Sequence, residues 1–65
     1  MKWNDTREIA QALSKKFPDI DPKVIRSVQI KPWVLELNQF TDEPETGGES
    51  ILEEIQILWI EETSD

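Results

Sequence analysis

The sequence predicts a small, mainly α-helical domain of about four helices, and three features of the 65-residue chain lead to this prediction. Apolar residues recur at intervals of three or four, which is the spacing of one helix face. The four prolines stand between these apolar segments or at their starts, where proline stops or begins helices. Residues 41–48 contain no aliphatic or aromatic side chain and predict a loop. A chain this short forms one domain, residues 1–65.

The first helix is predicted between Asp5 and Pro18. Asp5 is expected to cap it, with Glu8 three residues later completing an acidic capping box. An apolar residue then follows at every fourth position: Ile9, Leu13 and Phe17. Pro18 is expected to end the helix, because it cannot continue the hydrogen-bond ladder.

Two further short helices are predicted in the middle of the chain. Asp21 is a candidate N-cap for the second helix, with Pro22 at its first position. The third helix is expected to begin near Pro32 and to turn Trp33 towards the core. This helix–turn–helix spacing is compatible with a winged-helix arrangement, with a short extended pair near the loop.

The last helix is predicted from about Glu49 to Glu62, after the loop. Its broad apolar face consists of Ile51, Leu52, Ile55, Leu58 and Trp59. Glu61 and Glu62 stand at the negative end of this helix, where carboxylates oppose its dipole. Their position indicates a role beyond folding, whereas the three tryptophans are expected to belong to the core.

The composition argues against an enzyme. The chain has no histidine and no cysteine, so the usual general base near neutral pH and the thiolate nucleophile are both missing. No signal peptide is visible, and no apolar run approaches the roughly 20 residues of a membrane span. We therefore expect a monomeric, cytoplasmic protein that is not an enzyme.

The charges divide the chain into two halves. Residues 1–31 hold all seven basic residues and four acidic ones, a net charge of +3, whereas the remainder holds ten acidic residues and no basic one. Such an acidic segment repels nucleic acids and attracts a basic protein. The candidate partner-binding residues are Glu36, Asp42, Glu43, Glu45, Glu49, Glu53, Glu61 and Glu62. The alternatives are a solvated acidic surface without a partner, a DNA-binding winged helix, and a hydrolase that uses two carboxylates in a pocket.

Any metal bound by this chain must use oxygen ligands, because soft thiolate and imidazole ligands are absent. The candidate ligands are Asp5, Glu8, Asp19 and Asp21. The alternate spacing of Asp19 and Asp21 suits a hard cation, but the further ligands and the glycine of a calcium loop are missing. A helix-capping role competes with metal binding at Asp5 and Asp21.

Several short motifs follow one another in order over nearly the whole sequence: Lys2-Trp3-Asn4-Asp5-Thr6-Arg7-Glu8-Ile9, Pro18-Asp19-Ile20-Asp21-Pro22-Lys23 with Arg26, Trp33, Phe40-Thr41-Asp42-Glu43-Pro44, and Ile51-Leu52-Glu53 with Trp59. In their order and spacing these motifs resemble the IscX family of bacterial iron–sulfur cluster assembly. The chain departs from the family pattern at Lys15, Lys16 and Thr41, which reduce its acidity.

The resemblance implies a modified winged-helix fold that does not bind DNA. It also implies an acidic surface that binds cysteine desulfurase, with the scaffold protein or the ferredoxin of the same pathway as further candidate partners. Weak, transient iron binding without a bound cluster is implied as well. The protein would regulate cluster assembly, in competition with bacterial frataxin.

Overall fold

The described part of the chain contains three α-helices. The computed structural model describes residues 1–43, 45 and 47–63. Within them α1 spans Thr6–Lys16, α2 spans Ser27–Leu35 and α3 spans Glu49–Thr63. These residues contain no β-strand, so the extended pair expected near the loop is not observed in them. None of the described helices combines the length and the apolar character needed to cross a bilayer.

The first and last helices, α1 and α3, lie side by side and run in the same direction. Trp3, just before α1, packs against Gly47, just before α3. At the other end, the loop at 18–23 after α1 shares a shallow depression with Thr63, the last residue of α3. The more extensive helix contacts are those between α1 and α3, and α2 packs mainly on α3.

The core lies between the three helices and follows the predicted apolar spacing. Its fully buried side chains include Ile9 and Leu13 from α1, Ile30 from α2 and Ile55 from α3. Trp3 and Trp59 are buried and Trp33 is half-buried, which confirms that the tryptophans belong to the core. The Trp33 ring meets the Trp59 ring edge-on, with centroids 6.0 Å apart.

The prediction of four helices is corrected in the middle of the chain, because residues 21–26 form turns and a single helix follows them. The carbonyls of Pro22 and Ile25 accept hydrogen bonds of 2.9 and 2.8 Å from the Gln56 side chain on α3. This tertiary partner stabilises a non-helical backbone. α2 then runs through Pro32, which lies inside the helix instead of starting a new one. The mainly α-helical prediction is confirmed.

The two predicted aspartate caps are also corrected. The Asp5 side chain makes no capping bond to α1, and its Oδ2 accepts the backbone N–H of Lys2 at 2.9 Å. The capping box with Glu8 is therefore wrong. Asp21 has no helix to cap, and its Oδ1 accepts the N–H of Lys23 at 3.0 Å within a turn. In both cases the carboxylate stabilises a local turn.

Candidate functional site

Residues at the beginning of the chain form hydrogen bonds with the acidic segment that follows α2. The backbone nitrogen of Met1 donates to the carbonyl of Gln39 at 2.7 Å, and the N–H of Thr41 donates to the carbonyl of Met1 at 2.9 Å. The indole Nε1 of Trp3 donates to the carbonyl of Glu43 at 2.7 Å. We call residues 39–43 the anchored segment, because these long-range bonds fix its backbone on the start of the chain.

Asp42 supports the anchored segment with its own carboxylate. Its Oδ2 accepts the backbone N–H of Trp3 at 3.3 Å, and its Oδ1 accepts the N–H of Glu43 at 2.8 Å. The side chain is half-buried, whereas Glu43 and Glu45 are exposed. Asp42 was predicted as a partner-binding residue, and the structure gives it a supporting role in the backbone.

A row of exposed carboxylates continues along α3. With 3.6 residues per turn, four of them fall within about 140° of the helix circumference. They are Glu49, Glu53, Glu54 and Glu61, and we call them the acidic strip. Ile57, at 57% exposure, lies in the middle of the strip. Glu54 was missed as a candidate site residue, although its seven-residue spacing from Glu61 places both on one helix face.

Glu62 lies away from the acidic strip. It is exposed, but its direction is about 80° further round the helix than that of Glu54, towards the side that buries Ile55. It remains close to Glu61 at the end of α3, where no basic residue occupies the last turn. The far end of α3 therefore carries two carboxylates pointing in different directions.

The acidic strip is not neutralised by neighbouring basic residues. Leaving Glu43 aside, no carboxylate in residues 1–43, 45 and 47–63 forms an ion pair. Each of the four carboxylates of the strip belongs to an exposed residue. Their charges therefore remain available to a positively charged partner.

Glu36 occupies a different, basic environment. The Lys16 ammonium donates to the carbonyl of Glu36 at 3.1 Å. The residues that follow Glu36 line an open depression of about 260 Å³ together with Ala12, Lys15 and Lys16. The structure therefore places Glu36 beside the lysines at the end of α1 and not with the acidic strip.

The four candidate metal ligands form two pairs at opposite ends of α1. Asp5 and Glu8 lie at its start, and Asp19 and Asp21 follow its end, so the helix of 11 residues separates the pairs by about 16 Å. In the part of the chain that the structure describes, no three carboxylates gather into a group that could hold a metal ion. Metal binding by either pair stays a prediction.

Comparison with known proteins decides the family. A family model described as iron–sulphur cluster assembly matches residues 1–64. The chain belongs to this family, the IscX family. The IscX-family chain is also 45% identical over 62 residues to a protein of Pseudomonas aeruginosa that is described as "Uncharacterized protein PA3808". That match covers 95% of this chain and 94% of the relative.

Membership of the IscX family confirms the resemblance seen in the motifs. It places the chain in a family of iron–sulphur cluster assembly and indicates protein partners in that pathway. Three residues of the matching motifs, Trp3, Asp42 and Glu43, meet in one set of hydrogen bonds. The motif that starts at Phe40 therefore overlaps the anchored segment, and the opening motif binds it through Trp3.

Proposed function

We propose that this chain is an acidic adaptor that docks on cysteine desulfurase and regulates iron–sulphur cluster assembly. The observation that supports the proposal best is the acidic strip, whose exposed carboxylates form no ion pair within the described residues. The IscX family supplies the pathway, and charge complementarity supplies the kind of partner: a basic surface on the desulfurase. In this proposal the adaptor acts as a cytoplasmic monomer and has no enzyme activity of its own. The proposal also includes a modified winged-helix fold.

Salt dependence tests the electrostatic part of the proposal. The Debye length is about 10 Å at 0.1 M ionic strength and shrinks as salt is added, so exposed charges attract one another less. We expect binding to purified desulfurase, measured by calorimetry, to be largely abolished at about 0.5 M salt. Salt-insensitive binding would show that the mechanism is wrong.

A matched pair of charge reversals tests the location. The variant Glu45→Lys/Glu53→Lys reverses one exposed carboxylate that follows the anchored segment and one of the acidic strip, and the control Glu8→Lys/Asp19→Lys reverses exposed carboxylates at the two ends of α1. Both variants raise the formal net charge from −7 to −3, because each reversal adds two charges. The first variant should lose at least about tenfold in affinity and the control much less. Equal losses would mean that only the net charge matters.

Weak, transient iron binding is part of the same proposal. The chain offers carboxylates as side-chain ligands, which suit a hard or borderline cation such as ferrous iron. Each predicted pair supplies at most two of them, and Asp21 already accepts the N–H of Lys23. Water would therefore complete the coordination, and we expect binding to be weak for this reason. An anaerobic ferrous iron titration followed by amide NMR tests this, and signals that do not move at either pair would contradict it.

No observation favours the DNA-binding alternative. A recognition helix needs basic side chains that reach phosphates and base edges. The middle helix α2 has Lys31 as its only basic residue. A gel-shift assay with duplex DNA at low salt remains the direct test of that alternative.

A further inference from the structure

Trp3, near the start of the chain, contacts Phe40 on one side of the loop carboxylates and Gly47 on the other. Its side chain is only 1% exposed. The ring meets Phe40 edge-on, with centroids 4.7 Å apart and planes at 70°. Its six-membered ring also lies so close to Gly47 that a Cβ added there would come within 2.5 Å of it. Trp3 therefore contacts residues both before and after the carboxylates of Asp42, Glu43 and Glu45.

The backbone of the anchored segment depends on the same region. Within the described residues, Met1 and Trp3 are the hydrogen-bond partners that residues 39–42 have elsewhere in the chain, apart from a local bond that the Phe40 N–H donates to the Leu37 carbonyl. Trp3 contributes two donors, its backbone N–H to the Asp42 carboxylate and its indole N–H to the Glu43 carbonyl. A single residue thus fixes both the side chain of Asp42 and the backbone of Glu43.

We propose that Trp3 is a positioning residue for partner binding, acting through the anchored segment. This inference rests on the proposed function. Trp3 itself is buried, so it offers the partner almost no contact surface. Its effect is to hold Asp42 and Glu43 in one arrangement before the partner arrives. Preorganisation of this kind increases affinity, because fewer groups lose conformational freedom during binding.

The binding experiment compares three variants of the complete chain. Trp3→Phe removes the indole donor and part of the ring. Replacement of Trp3 by benzothienylalanine, in which sulfur takes the place of the N–H, removes the donor and keeps the ring size; a chain of 65 residues is within reach of chemical synthesis. Trp59→Phe is the control, because Trp59 is equally buried and its Nε1 has no hydrogen-bond partner in the described structure.

Affinity for purified desulfurase is the first readout, measured at a temperature where each variant is fully folded. Both Trp3 variants should bind about tenfold more weakly than the wild type, and Trp59→Phe should bind like the wild type. Wild-type affinity in a folded Trp3 variant would overturn the inference, and so would an equal loss in Trp59→Phe. If Trp3→Phe does not fold, the benzothienylalanine variant decides.

Amide NMR of the free protein is the second readout and separates this inference from the proposed function. The signals of Thr41, Asp42, Glu43 and Gly47 should shift in the benzothienylalanine variant and remain in place in Trp59→Phe. If the wild type does not bind desulfurase, the proposed function fails, and these signals still test the positioning. Unchanged signals at Asp42 and Glu43 would overturn it.

Discussion

The Gln56 side chain provides the sharpest test of how the middle of the chain is held. Its amide donates two hydrogen bonds, of 2.9 and 2.8 Å, to the carbonyls of Pro22 and Ile25. Gln56→Leu places a shorter apolar side chain at this position, removes both donors and leaves two carbonyls without their partner. A hydrogen bond contributes about 1 kcal/mol net, so the free energy of unfolding should fall by about 2 kcal/mol.

This loss is large for so small a protein. Chains of this length have unfolding free energies of about 3–10 kcal/mol, and a loss of 2 kcal/mol lowers Tm by about 8–16 °C. Urea and thermal unfolding, followed by circular dichroism, measure both quantities. The control is Gln11→Leu, an exposed position on α1, which should change stability by less than about 0.5 kcal/mol. A Gln56→Leu variant as stable as this control would refute the reasoning.

The variant Gln56→Glu adds a dependence on pH. The introduced carboxylate would face two carbonyl oxygens, which raise its pKa in the folded state above the unfolded value of about 4.3. A group with a raised folded pKa loses its stabilising contribution as pH rises. The stability deficit relative to the wild type should therefore grow above about pH 4.3 and shrink below it. A deficit independent of pH would contradict the two-carbonyl contact.

Two further predictions concern helix ends and interiors. Pro32 is the sixth of nine residues in α2, so Pro32→Ala should restore a hydrogen bond to the Val28 carbonyl and stabilise the protein by about 1–3 kcal/mol. Urea unfolding measures this gain. An unchanged midpoint urea concentration would show that Pro32 does not destabilise α2. Glu62→Lys should add about 0.5 kcal/mol at low ionic strength, because a cation suits the end of α3. The gain should disappear in 1 M salt and be absent in Glu54→Lys, which lies mid-helix.

The sequence predicts the first and last helices well because the patterns that indicate them are local. The four-residue spacing of Ile9 and Leu13 places both in the core, and α1 ends just before Phe17 and Pro18. The last helix begins at Glu49, at the predicted residue, and continues one residue beyond Glu62. In both helices, the periodicity and the nearby loop residues agree with the tertiary packing.

The middle of the chain was predicted less well because its structure depends on a distant side chain. Asp21 and Pro22 have the local pattern of a helix start, but Gln56, more than 30 residues away, binds the carbonyls of that segment. Pro32 has the pattern of a second start, yet the packing of Ile30 and Val34 carries α2 through it. Neither contact is visible in a local pattern.

The sequence predicts that the candidate site is built from carboxylates, but not how these carboxylates are arranged in space. Charge asymmetry identified the acidic half, and helical spacing would also have found Glu54. Local charge patterns do not reveal that Glu36 lies beside Lys16, or that the carboxylate of Asp42 binds two backbone N–H groups. The first distinction depends on how the end of α1 meets the end of α2, and the second on how the start of the chain folds back onto residues 39–43.

The common direction of α1 and α3 gives the two ends of the molecule different electrostatic properties. Both helices direct their positive dipole ends towards the anchored segment, and this partly offsets the charge of Asp42 and Glu43. At the opposite end, Lys15 and Lys16 compensate the dipole of α1, whereas Glu61 and Glu62 add to that of α3. Long-range attraction of a cationic surface should thus be greatest at the tail of α3. The anchored segment at the other end would set the final orientation, so capture and alignment would occur at separate places on one small protein.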